Sequence, residues 1–202
     1  MSVTQGRMTR EQRHEQLLDV TRELVGESGF HAVSIEAVAR RAGISRPIVY
    51  GHFDDLAGLL EAMLDRETSR ALAQLDRVLP AAGGDPPQAL LAALCGYLET
   101  VAADPVTWKL VLMPPEGAPP MLRERIEAGR TAVIAILAEL VRPGLGPGEG
   151  SPDPELTARL LSALADEAAR LMLTDPAFTI DRLTEQARWL LEQLAAARPG
   201  EA

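Results

Sequence analysis

The sequence predicts an all-α protein. Three observations carry that prediction: Ala, Leu, Arg and Glu dominate the chain, aromatic residues make up only 3% of it, and β-branched residues are scattered rather than alternating. That is helix-forming composition without a strand pattern. The 202 residues, 47% hydrophobic and 24% charged, lie near the averages of folded proteins, which excludes a disordered or collagen-like chain. They suffice for one large helical domain or for a small domain joined to a larger one.

The elements follow from spacing and punctuation. Leu17, Val20, Thr21, Leu24 and Val25 recur at helical intervals, and Gly29 after Ser28 is a stop signal, which predicts a first helix over about Thr9 to Ser28. Ser34 is an N-cap for a short second helix ending near Ala42, with Glu36 in its first turn and Val33 and Val38 spaced as a hydrophobic staple. Gly43 turns the chain and Ser45 caps a short third helix, whose first turn tolerates Pro47 because the early N–H groups have no intrahelical partner. Asp54 or Asp55 starts a long fourth helix with Leu56, Leu59, Leu60, Met63, Leu64, Leu72 and Leu75 on its apolar side.

Pro and Gly then mark three loops, Pro80 to Pro87, Met113 to Pro120 and Arg142 to Pro154. Between them the pattern predicts helices over about Gln88 to Ala103, Pro105 to Leu112, Pro120 to Val141 and Pro154 to Thr174, and a last one, capped by Thr179, from Ile180 to about Ala197. Ala89 to Leu98 carries no charge, so that helix is expected to be apolar all round and central to the second domain.

The net charge of −9 is unevenly distributed. Residues 1–52 hold seven arginines against six carboxylates and all three histidines, whereas residues 53–202 are net −10. Only the amino-terminal quarter is therefore a candidate for a polyanion partner. No uncharged run reaches the roughly 18 residues of a membrane span, and Met1 to Arg10 lacks the apolar stretch of a signal peptide. The single Cys95 permits neither an internal disulfide nor a thiolate-rich zinc site, so no metal and no cofactor are expected and a cytoplasmic location fits.

Helices two and three with the Ala42-Gly43-Ile44 turn make a helix-turn-helix, a geometry that places the second helix in a DNA major groove. Within Leu17 to Leu60 stand Gly29-Phe30, Ser34-Ile35, Val38-Ala39, Ala42-Gly43-Ile44-Ser45 and Tyr50-x-His52-Phe53 followed by Leu59-Leu60. This quarter of the chain closely resembles the DNA-binding domain of the TetR family of bacterial transcriptional regulators. The resemblance implies a helix-turn-helix domain over residues 1–54, a ligand-binding and dimerisation domain over residues 55–202, and a homodimer on a palindromic operator. It assigns backbone phosphate contacts to Tyr50 and His52, whose donors suit phosphate oxygens. Arg46, at the start of helix three, is the first choice for reading a guanine edge. Arg40 and Arg41 either touch phosphates or offset the end of helix two. The DNA-facing set is therefore Ser34, Ile35, Arg40, Arg41, Ser45, Arg46, Pro47, Tyr50 and His52. Phe53, Ile44, Val38 and Ile48 are expected in the small domain's core. Two departures stand out: Pro47-Ile48 replaces a common Gly-Thr, and Asp55-Leu56-Ala57 replaces a run that carries a phosphate-binding lysine.

Phosphate-loop, dinucleotide, hydrolase-elbow and zincin signatures are absent, and the larger domain has no histidine for general-base work. An enzyme is not expected. Asp166 reads as one half of a solvated i,i+4 pair with Arg170. A helical adaptor with weak DNA binding is the alternative, motivated by the acidic total and the missing lysine. Two stripes, Leu160, Leu164, Ala168 and Leu171, and Leu183, Ala187, Leu190 and Leu194, are spaced to form a four-helix seam with a second copy or to face their own core. Gly96 costs its helix about 1 kcal/mol relative to alanine, which makes sense beside a ligand or a close helix crossing. A cavity lined by some of Tyr97, Trp108, Met113, Met121 and Met172, with Glu167 or Arg130 as polar anchor, is expected to take a small apolar or amphipathic effector.

Overall fold

The computed structural model describes residues 8–78, 86–114, 118, 120–146 and 151–196, the side chains of Pro86 and of residues 194–196 excepted. Among the described residues the chain is helical throughout, with no strand. Its helices are α1 (Arg10–Ser28), α2 (Ile35–Ala42), α3 (Arg46–Tyr50), α4 (Leu56–Val78), α5 (Pro86–Ala103), α6 (Pro105–Leu112), α7 (Pro120–Val141), α8 (Pro154–Thr174) and α9 (Ile180–Ala196). The turns at Phe30–Ala32 and Arg142–Leu145 are single 3-10 turns. Residues 80–85, 115–117, 119 and 147–150 of the three expected loops, and Ala197, lie outside the described residues.

The caps explain the boundaries. Thr9 and Gln12 form a reciprocal capping box at α1: Thr9 Oγ1 accepts from Gln12 N–H at 3.1 Å, and Gln12 Oε1 accepts from Thr9 N–H at 2.9 Å. Ser34 Oγ accepts from Ala37 N–H at 3.1 Å. Gly43 ends α2 at φ 68° and ψ 32°, a left-handed conformation that favours glycine. Ile44 N–H then reaches back to Ala39 O at 3.0 Å, closing a Schellman motif that sets the angle between α2 and α3. Asp55 Oδ1 accepts from Gly58 N–H at 2.8 Å and so starts α4, while Asp153 Oδ1 does the same for α8 through Glu155 N–H at 2.8 Å.

Two main cores lie along α4. The first gathers Leu17, Val25, Val38, Val49, Phe53, Leu59, Met63 and Leu64, and is joined from the later helices by Leu110 and Leu122. The second gathers Ala71, Tyr97, Leu98, Val101, Trp108, Leu112 and Ala169. α5, whose only charged residue is Glu99, packs against α4, α6, α8 and α9, as its apolar stretch from Ala89 to Leu98 predicts for a central helix. Gly96 serves a close crossing: a Cβ there would sit 3.1 Å from Val78 of α4. Ile48 corrects an expectation, being 44% exposed rather than core, because the short α3 turns only Val49 fully inward. No single helix among the described residues is long and apolar enough to cross a membrane.

Candidate DNA interface and internal cavity

The first candidate site is the outer face of α3. Val49, fully buried, anchors the helix, and the remaining side chains point away from the core. Arg46 is exposed, and among the described residues its only carboxylate neighbour is Glu36, with Oε2 3.9 Å from Nη1. Ser45 and Pro47 are exposed beside it, Ser45 without a side-chain capping bond, and Tyr50 is 54% exposed. Ser34 is engaged as the cap of α2, and Ile35 is half-buried against the first core. Arg40 is exposed, whereas the Arg41 guanidinium turns back to Glu27 and Glu23 of α1. That pairing raises the Arg41 pKa, through its hydrogen bond to Glu27 first.

His52 lies where the end of α3 meets the start of α1. Arg10 Nη2 donates to Gly51 O at 3.4 Å, and the His14 ring stands 6.0 Å from the His52 ring and 4.7 Å from that of Phe53. Burial, then the charges of Arg10, His14 and Arg13, hold the His52 pKa below its ordinary value. Arg10 and Arg13 therefore add to the positive field here, and their i,i+3,i+4 spacing with His14 was the sequence signal that could have found them. Asp54 and Asp55 are exposed next to this surface, Asp55 being held as the cap of α4.

The second candidate site is a pocket of about 590 Å³ among helices α4 to α9, open to the surface beside the exposed Leu164 and Leu190 and walled mostly by aliphatic side chains, among them Leu72, Leu75, Leu94, Val111, Ile126, Val133, Leu161 and Leu191. Of the residues expected there, Tyr97, Trp108, Arg130 and Glu167 line it. Met113, Met121 and Met172 do not: Met121 packs on the first core, Met172 on the second, and Met113 borders a separate recess beside Gly26 and Gly29. Tyr97 and Trp108 meet edge to face at 5.3 Å between centroids.

Asp166 corrects a second expectation. Its side chain is 15% exposed and pairs with Arg130 Nη2 at 2.9 Å across to α7, not with Arg170. Tyr97 donates its hydroxyl hydrogen to Asp166 Oδ1 at 3.1 Å. Burial drives both pKa values up, that of Asp166 against the pull of Arg130. Arg170 pairs instead with Glu167, at 2.9 Å.

The two stripes on α8 and α9 divide. Leu160, Leu164 and Leu190 are exposed, joined by Leu156 and Trp189, which spacing alone did not single out. Ala168, Leu171, Leu183 and Ala187 are half-buried, and all four line the cavity, as do the exposed Leu164 and Leu190 at its edge. The Leu194 side chain lies outside the described residues.

A helix-turn-helix with an outward second helix, joined by one long helix to a helical domain with an apolar cavity, defines the class of helix-turn-helix regulators. Residues 17–63 match the family model described as bacterial regulatory proteins, tetR family. That match covers the helix-turn-helix and the first turns of α4, and the chain as a whole shares the fold of solved TetR-like regulators. A TetR-like transcriptional regulator from Rhodococcus sp. RHA1 superposes with a TM-score of 0.75 at 23% identity, over 95% of this chain and 100% of that one. The fatty acid degradation regulator FadR from Bacillus halodurans does so with a TM-score of 0.68 at 17% identity, over 91% and 96%. In sequence, the chain is 39% identical to the transcriptional regulator BetI of Escherichia coli over 43% of its own length and 45% of BetI. It is 25% identical to the transcriptional activator FasR of Mycolicibacterium smegmatis over 67% of its length. The chain thus spans about half of BetI and 61% of FasR. These relatives are transcription regulators, not enzymes.

Proposed function

We propose that the chain is a ligand-responsive transcriptional regulator, with residues 1–54 binding operator DNA and residues 55–202 holding the effector and the dimer seam. The observation that carries this reading is the double role of α4. Its first turns place Leu59, Met63 and Leu64 in the core beneath the helix-turn-helix, and its later turns place Ala71, Leu72 and Leu75 on the cavity wall. Between them sits Glu67, 1% exposed. Glu67 accepts from Arg66 Nη2 at 2.8 Å and from the Thr107 hydroxyl of α6, with Arg22 of α1 at 3.6 Å. Arg22 also pairs with Asp104, at the start of α6, at 3.0 Å. Trp108, next to Thr107, faces the cavity. An effector that moves α6 or the later turns of α4 therefore acts on α1 and the helix-turn-helix through charges held out of water.

Arg46 is the proposed base-reading residue, with Tyr50, His52 and Arg40 on phosphates. The exposed Leu156, Leu160 and Leu164, one turn apart, with Trp189 and Leu190, form a patch that a second copy buries by two-fold pairing of α8 and α9. Two recognition helices related in this way call for an inverted-repeat operator, and occupation of it represses by occlusion, in the cytoplasm where the chromosome lies. The direct test follows Trp108 emission in a Trp189→Phe background together with anisotropy of labelled operator. A compound that releases DNA should shift Trp108 emission over the same concentration range. Release without any change at Trp108 would contradict the effector site.

A further inference from the structure

The charged groups on the cavity wall, more than its aliphatic surface, decide what class of molecule it accepts; this inference rests on the effector-site reading above. Three polar side chains from three helices converge at one place: Tyr97 of α5, Arg130 of α7 and Asp166 of α8. Both Asp166 oxygens are committed, Oδ1 to the Tyr97 hydroxyl and Oδ2 to Arg130 Nη2. Four of the other six polar side chains on the wall are engaged too, while Ser162 and Gln186 also line it. Arg125 pairs with Asp65, Glu167 accepts from Arg170 Nε at 2.9 Å, the Trp108 indole N–H donates to Gln74 Oε1 at 3.1 Å, and the Thr68 hydroxyl donates to Leu64 O at 2.8 Å.

The wall is therefore balanced in charge. A carboxylate seated on Arg130 would stand against Asp166, and a cation seated on Asp166 would stand against Arg130. Either ligand breaks or crowds an ion pair whose acidic member is largely out of water, a far larger penalty than at an exposed pair. The raised pKa of Asp166, set by burial, marks the same desolvation. What the cluster still offers is donor capacity. A guanidinium carries five N–H donors, and among the described residues Arg130 has one partner, Asp166. A volume of about 590 Å³ is ordinary for a small-molecule site.

The geometry points to a neutral, mostly apolar effector with a carbonyl acceptor, an ester, amide or ketone on a hydrocarbon chain. Arg130 reads the carbonyl and Asp166 excludes carboxylates.

Three matched probes test this on the full chain carrying Trp189→Phe: methyl decanoate, decanoate and decane, titrated below their aggregation limits with Trp108 emission as readout. The ester should bind at least tenfold more tightly than either of the others. Arg130→Met should erase the ester's advantage over decane. Asp166→Asn, which preserves shape, should strengthen decanoate binding at least tenfold, because the guanidinium is then free for an anion. Preference of the unaltered cavity for decanoate, no gain for decanoate in Asp166→Asn, or no binding of any probe would each overturn the proposal. The effector-site reading is judged separately, by whether any compound that releases operator DNA moves Trp108 emission.

Discussion

Arg46 differs from Arg22 and Arg41 of its domain in what surrounds it. Arg22 and Arg41 are drawn into pairs with carboxylates of their own chain, whereas Arg46 stands exposed with a single carboxylate oxygen at 3.9 Å. A guanidinium so placed is available for a base edge. Arg46→Ala should weaken operator binding by about 1 to 3 kcal/mol and relax preference at one position of each half-site, while Tyr50→Phe should weaken binding evenly across sequences. Anisotropy titrations against single-position operator variants separate the two, and retention of full specificity by Arg46→Ala would refute the assignment. His52 gives a pH signature. Its folded pKa lies below its ordinary value, so as pH falls the unfolded chain takes up the proton first. The stability tied to the neutral ring is present above about pH 6.5 and is lost as pH falls through the folded pKa. Thermal melts from pH 8 to 5 should show a shallower loss for His52→Gln than for the native chain; equal slopes would contradict the shift. Residues on the turn's fixed spacing, such as Arg46 and Tyr50, were legible in the sequence. Asp166 was not, because Arg130 and Tyr97 reach it from distant helices and no local spacing carries that contact.

At the scale of elements, Ser34, Gly43 and Asp55 made their helix ends readable, whereas the caps Thr9 and Asp153 were found only in the structure; each satisfies backbone groups left open at a helix end. Gly96 was readable as a place where space matters, but only the position of Val78 tells that the neighbour is α4 rather than a ligand. What the pattern hid was Glu67, a carboxylate on the long helix whose burial depends on Arg22, Arg66 and Thr107 arriving together. Removing it leaves arginines short of a buried partner. Glu67→Ala should cost about 3 to 5 kcal/mol in urea unfolding. Thr107→Val, which keeps the shape, should cost about 1 to 3 kcal/mol through loss of a hydrogen bond to a charged group. A loss for Glu67→Ala well under 1 kcal/mol would mean that the α1–α4–α6 junction is not held by these charges.

On the scale of the whole molecule, the division of charge, with the basic balance confined to the first quarter, was visible in the sequence and agrees with the surface that α3 presents. The cavity was visible only in outline, because its wall is assembled from aliphatic side chains of six helices that look like any other core residues in one dimension. The proposed assembly rests on Leu160 and Leu164, 60% and 65% exposed on one face of α8. Leu160→Glu with Leu164→Glu should convert a dimer to a monomer by light scattering and weaken operator binding with it; an unchanged mass would place the seam elsewhere. Whether a two-fold pair of α3 helices reads DNA is decided by selecting bound sequences from a random pool. The selected sites should converge on inverted repeats whose half-site centres lie one helical turn, roughly 34 Å, or a multiple apart. A pool that does not converge, or converges on sites without a repeat, would contradict it.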